Sequence, residues 1–144
     1  MSDDIRLTGG CLCGEVRYQV EGEPLEVYIC HCTMCQKYSG ATSSAAATFP
    51  FESYTLIQGD PRINHTSAHY SRMSCRQCGS ILGGRQSGDS PKLVTIRLGN
   101  LDNPSALKPT SHVFTSTRVE WCNIDDGLPT FANMSPEQKS IWIE

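Results

Sequence analysis

Gly9-Gly10-Cys11-Leu12-Cys13-Gly14-Glu15-Val16-Arg17-Tyr18-Gln19-Val20-Glu21 joins the two patterns that decide the fold, a cysteine pair among glycines and a strand. Val16, Tyr18 and Val20 alternate with Arg17, Gln19 and Glu21, the two-residue period of a strand with one buried face. Gly22-Glu23-Pro24 ends it. Downstream, Leu25, Val27 and Ile29 alternate with Glu26, Tyr28 and Cys30, so Cys30 and Cys32 are expected on one face at the strand's end and His31 on the other. Further strands are expected over 45–49, 54–58, 62–66, 69–73, 92–98 and 112–118, separated by Pro50, Gly59-Asp60-Pro61, Gly83-Gly84 and the stretch 103–109. Helix is expected in two places only. One turn follows Cys35 through Tyr38, and another starts at Ser135, where Ser135-Pro136-Glu137-Gln138 offers an N-cap, a proline at the first helical position and a glutamine at the third. The expected architecture is a mainly β, antiparallel-sheet domain with little helix, spanning 1–144, with metal knuckles on its loops.

Seven of the eight cysteines fall into three clusters: Cys11 and Cys13; Cys30, Cys32 and Cys35; Cys75 and Cys78. Zinc takes four thiolates in a structural site, and three protein ligands with an open position where it does chemistry. The two pairs make four, and adding the triplet to either pair would make five. The economical partition is a closed site from Cys11, Cys13, Cys75 and Cys78 and an open one from Cys30, Cys32 and Cys35, hence two zinc ions per chain. Extended backbone would project Cys11 and Cys13 to one side, with Gly9, Gly10 and Gly14 letting the chain turn about the ion. Disulfides fit this spacing poorly, because near neighbours in sequence rarely meet with disulfide geometry.

With 144 residues there is room for one domain and one core, and the net charge of −3 comes without a dense basic run, so no nucleic-acid groove is advertised. No apolar segment approaches membrane-spanning length. The opening Met1-Ser2-Asp3-Asp4-Ile5-Arg6 lacks the basic start and apolar core of a secretion signal, and the cytoplasm is the expected location.

Gly9 to Tyr18, Cys30-His31-Cys32-Thr33-Met34-Cys35 with Ser39-Gly40-Ala41, and Cys75-Arg76-Gln77-Cys78-Gly79-Ser80 resemble the signature of the glutathione-dependent formaldehyde-activating enzyme family, also called the centromere protein V/GFA domain family. Leu98-Gly99-Asn100-Leu101-Asp102-Asn103-Pro104, His112-Val113, Trp121 and Asp126-Gly127-Leu128-Pro129-Thr130-Phe131 are similar to its C-terminal half. The resemblance implies an Mss4-like β fold, two zinc ions, and carbon–sulfur lyase chemistry on a thiol adduct of an aldehyde, with glutathione or a similar small thiol as partner. It assigns the structural zinc to Cys11, Cys13, Cys75 and Cys78 and the catalytic cluster to Cys30, Cys32 and Cys35.

An open zinc held by three thiolates carries a formal charge of −1, a weak Lewis acid but a good partner for soft sulfur. Proton handling at the aldehyde oxygen needs a group titrating near the working pH. His112 and His31 are the candidates, followed by Tyr38 and Ser39. Each has a plainer reading. His31 lies out of phase with its flanking cysteines, so support or packing is favoured over ligation, while His65 and His69 read as exposed. Cys122 is either a small buried residue or a fourth ligand that would close the triplet. Tyr18, Tyr28, Phe49, Phe114 and Trp121 read as core, and Arg17, Arg85 and Arg118 as surface charges that could also meet a substrate carboxylate. Two other function classes compete with the lyase: a non-catalytic zinc module that binds a protein partner, and a thiol redox enzyme using Cys122. Neither has an evident use for the triplet.

Overall fold

The computed structural model of the chain describes residues 5–143; Met1–Asp4, read above for a leader, and Glu144 lie outside the described residues. The elements run β1 (Arg6–Gly10), β2 (Arg17–Glu21), β3 (Glu26–Cys30), α1 (Thr33–Ser39), β4 (Ser44–Pro50), β5 (Tyr54–Gln58), β6 (Arg62–Asn64), β7 (Tyr70–Ser74), β8 (Ile81–Gln86), β9 (Leu93–Arg97), β10 (His112–Val113) and α2 (Pro136–Ile143). The protein is mainly β with little helix, as the strand periodicity implies, and has the Mss4-like architecture that the resemblance implies. It divides into two compact units, one of the chain up to Leu25 with Ala47–Leu107, the other of Glu26–Ala46 with the chain from Lys108 onward.

In the first unit β2 lies between β1 and β5, antiparallel to both, with Gly9 opposite Tyr18 and Val20 opposite Tyr54. The alternation expected here holds: Val16, Tyr18 and Val20 are buried, whereas Arg17 and Gln19 are half-buried and Glu21 exposed. A second antiparallel run, β6-β7-β8-β9, adds Met73, Leu82, Val94 and Ile96 to the core. Gly83-Gly84, read as a break, lies inside β8. A Cβ on Gly83 would strike the Thr95 carbonyl oxygen and one on Gly84 the Tyr70 hydroxyl, so these glycines let neighbouring strands approach. Gly9 belongs to β1 for the same reason, since a Cβ there would sit 2.6 Å from the Asn100 carbonyl oxygen.

In the second unit β10 pairs with β3 in parallel, His112 opposite Ile29 and Val113 opposite Cys30, where antiparallel pairing was expected throughout. The strand expected over 112–118 stops at Val113, because Phe114 takes a left-handed φ of 57° and a 3₁₀ turn, Thr115–Thr117, follows. Helix α2 starts as the sequence indicates, with the Ser135 hydroxyl accepting the Gln138 N–H at 3.0 Å. Its Trp142 indole donates to Glu26 at 2.9 Å, which explains a buried glutamate at the start of β3. Leu25, expected inside, precedes the strand and is exposed. Trp121, read as core, is 75% exposed, and Cys122 is half-buried.

Candidate metal centres

Cys11-Leu12-Cys13 forms a turn rather than the extended segment expected. The Gly14 N–H donates to the Cys11 carbonyl at 3.2 Å, the Cys11 N–H to the Val16 carbonyl at 3.1 Å, and Gly14 closes the loop at φ 85°. The second pair repeats the device after β7, with the Gly79 N–H donating to the Cys75 carbonyl at 3.0 Å and Gly79 at φ 80°. Both knuckles aim amide hydrogens at sulfur. Val16 N–H reaches Cys11 Sγ at 3.2 Å, while Gln77 and Cys78 N–H reach Cys75 Sγ at 3.3 and 3.4 Å. Such donors are suited to a metal-bound sulfur.

The four sulfurs lie within 4.8 Å of one another, Cys11 to Cys13 at 3.5 Å and Cys13 to Cys75 at 3.7 Å. Zinc–sulfur bonds of about 2.3 Å in a tetrahedron place neighbouring sulfurs about 3.8 Å apart, so the donor set fits zinc closely. All eight cysteines are free. The Ser80 hydroxyl and backbone N–H hold the Cys78 thiol down at about 5. Cys13 is pushed up to about 12: the Glu15 N–H favours its thiolate, but desolvation and the neighbouring thiols outweigh that donor. A cation is what lets all four ionise together. Ser80, unassigned by the sequence reading, links the knuckles, accepting the Leu12 N–H at 3.0 Å while its hydroxyl lies 3.1 Å from Cys78 Sγ.

The triplet is built differently. Cys30 closes β3, but the strand does not continue to Cys32 as its period suggested. Cys32 is the N-cap of α1, its sulfur accepting the Cys35 N–H at 3.3 Å, and Cys35 sits in the helix's first turn. The helix starts earlier than expected and ends at Gly40, in the left-handed conformation, whose N–H returns to the Gln36 carbonyl at 2.8 Å. Cys30, Cys32 and Cys35 lie within 4.8 Å of one another, Cys30 to Cys35 at 3.7 Å. The Cys32 and Cys35 sulfurs, with burial, push the Cys30 thiol far up. Among the described residues no further histidine, cysteine or carboxylate joins this cluster, and Cys122 is not part of it.

His31 and His112 are brought together. Both are buried, with His31 Nε2 lying 2.9 Å from His112 Nδ1 and His112 Nε2 lying 2.8 Å from Asp126 Oδ2. The Asp126 carboxylate can only accept there, so His112 carries a proton on Nε2; in the neutral imidazole its Nδ1 then accepts from His31 Nε2–H. His31 Nδ1 is then a bare lone pair, and it has no hydrogen-bond partner among the described residues. Burial, then His112, lowers the His31 pKa. Asp126 is held below the usual carboxylate range by the His112 hydrogen bond first and the Leu128 N–H second. The sequence reading placed Asp126 in a motif and gave it no role. Gln36 was missed altogether; its amide donates to the His31 and Thr117 carbonyls at 2.9 and 3.0 Å and ties α1 to the end of β3.

Of the three arginines considered for a carboxylate, Arg17 is taken by Asp102 in a two-pronged pair at 2.9 and 2.5 Å. Arg118 folds onto the carbonyls of Val119, Glu120 and Cys122. His65 and His69 are exposed, as expected.

A mainly β protein with one four-cysteine and one three-cysteine cluster, each spaced to hold a metal ion, is the class that this fold and these sites define. The chain belongs to the glutathione-dependent formaldehyde-activating enzyme family, whose sequence model matches residues 6–117. Proteins of Aspergillus flavus and Aspergillus oryzae, each named "Putative glutathione-dependent formaldehyde-activating enzyme", are 28% identical to it over 95 residues, 61% of this chain and 50% of theirs. The chain thus spans about half the length of these curated relatives. A Rhodobacter sphaeroides protein of known crystal structure shares the fold, with a TM-score of 0.53, 18% identity, and coverage of 86% of this chain and 98% of that one.

Proposed function

We propose that this protein is a zinc-dependent carbon–sulfur lyase that makes or breaks the adduct of a small thiol, such as glutathione, with a small aldehyde. The observation that carries this reading is the incomplete cluster: three thiols within 4.8 Å, with no fourth ligand among the described residues. Cys11, Cys13, Cys75 and Cys78 would hold a structural zinc, and Cys30, Cys32 and Cys35 a second. That second ion would supply a soft cation with one free position suited to a substrate sulfur.

In adduct formation the substrate sulfur bonds to the aldehyde carbon, the carbonyl π pair moves to oxygen, and the proton lost from sulfur is matched by one gained at oxygen. Cleavage reverses each step. His31 and His112 are assigned the proton handling, as a chain rather than as surface groups. A proton accepted at His31 Nδ1 releases one from Nε2 to His112 Nδ1, and His112 Nε2 passes one to Asp126, whose side chain is 43% exposed and exchanges with water. The cytoplasm remains the proposed location, and no described helix is long and apolar enough to cross a membrane.

Turnover of a hydroxyalkyl thioether, followed as release of free thiol, tests the assignment. Cys32→Ser should abolish it, and His112→Ala should slow it roughly 10²-fold or more while metal content is unchanged. Turnover by Cys32→Ser at the wild-type rate would refute the reading.

A further inference from the structure

The first unit holds a feature that the thiol chemistry leaves unused. Residues of β5, β6, β7 and β8, with the turns beside them, line an apolar cleft of about 270 Å³. One wall is aromatic and already ordered, with Tyr54 stacked at 5.5 Å on Tyr18 and at 6.2 Å on Phe51. The face of β6-β7-β8 also lines the cleft. Register places Ile63 opposite Met73 and Ser71 opposite Arg85, so Ile63, Met73 and Arg85 share that face and all three line the cleft. Arg85 Nε is buried with no acceptor among the described residues. An N–H donor buried without an acceptor is costly to leave so, and a guanidinium more than an amide.

We propose that this cleft binds a small apolar carboxylate, an aryl- or alkyl-substituted acid, whose carboxylate pairs with Arg85 and whose hydrocarbon part lies against Tyr54 and Met73. A planar guanidinium fork matches a carboxylate in two-pronged geometry. Asp60 also lines the cleft, its carboxylate 3.5 Å from Arg76, and its charge repels a phosphate dianion about twice as strongly as a carboxylate monoanion. The volume equals about nine waters at roughly 30 Å³ each, the space of an acid of about ten non-hydrogen atoms.

The test is titration of the zinc-loaded protein with phenylacetate, followed by residue-resolved NMR so that binding in the cleft is distinguished from carboxylate binding at a metal. Shifts at Tyr54, Ile63 and Met73 should saturate together, and Arg85→Met should weaken them at least 10-fold. Because Arg85 is half-buried, Leu56→Glu provides a second variant: Leu56 lines the cleft, is 40% exposed, and a carboxylate there should also weaken binding at least 10-fold. The neutral analogue 2-phenylethanol and the dianion phenyl phosphate should each bind more weakly than phenylacetate. Equal affinity for the alcohol, tighter binding of the phosphate, unaltered binding in both variants, or shifts confined to other residues would overturn the proposal.

Discussion

Replacing Cys75 by serine should destabilise the fold far more than replacing Cys32 by serine, and the reason lies in what each sulfur holds. Cys75 is buried, accepts two backbone N–H bonds, and its knuckle lies 62 residues along the chain from Cys13. The triplet closes only a short loop, Cys30 and Cys35 being five residues apart. Loop-closure entropy grows as (3/2)RT ln n, so a cross-link over 62 residues restrains the unfolded chain by about 2.2 kcal/mol more than one over five. Two hydrogen bonds to a charged sulfur, at roughly 1.5 kcal/mol or more each, are also weakened at position 75. At position 32 the opposite holds, because a serine hydroxyl is a preferred N-cap and can accept the Cys35 N–H in place of sulfur. We therefore expect a gap of at least about 2 kcal/mol between the two variants, a Tm difference of about 5 °C or more. Thermal melts of zinc-loaded protein measure it. Equal melting temperatures, or a less stable Cys32→Ser, would refute the division into a structural and an open site.

A mild chelator should remove one zinc per chain while the fold persists, seen as metal release before any loss of circular dichroism; simultaneous loss of both ions with unfolding would contradict this. Gly83→Ala should cost about 3 kcal/mol or more, because φ there is 114° and the new Cβ would strike the Thr95 carbonyl, and denaturant titration would read it directly. Arg17 first, then Thr8, hold the Asp102 carboxyl down at about 2 from an ordinary 3.8. The folded state therefore gives up that proton more readily than the unfolded chain, and the pair's contribution, full above about pH 4, fades as pH falls towards 2. Because the pair is half-exposed this amounts to no more than about 1 kcal/mol, and Asp102→Asn should flatten that part of the pH–stability curve. Asp126→Asn should disturb the tautomers of His112 and His31, visible in their ring ¹⁵N shifts, and slow turnover without loss of metal; unchanged shifts would show that Asp126 does not orient the pair.

Side chains that follow a strict local rule were legible in the sequence. The two-residue period located β2, and ligand arithmetic separated the four-cysteine from the three-cysteine cluster before any distance was known. The Ser135 cap was equally plain. What escaped was decided by partners far along the chain. Gly83-Gly84 looks like a turn in any window of sequence, and only the close approach of Thr95 and Tyr70 makes it strand. The period of β3 suggested that the strand ran on to Cys32, but the N-capping sulfur starts a helix there. Asp126 was legible as part of a motif but not as a partner of His112, which is 14 residues away across an irregular loop, and their meeting depends on a parallel strand pair of only two residues. Trp121 was misread because apolar character alone does not specify burial.

Cobalt substitution combined with metal counting tests the central claim most directly. The account predicts two metal ions per chain, one with a four-thiolate spectrum indifferent to added thiol and one whose sulfur-to-cobalt charge-transfer band changes when glutathione is added and is lost in Cys32→Ser. Two spectra that both show four thiolates and ignore added thiol would mean that the Cys30–Cys32–Cys35 site is closed, and the lyase reading would fall.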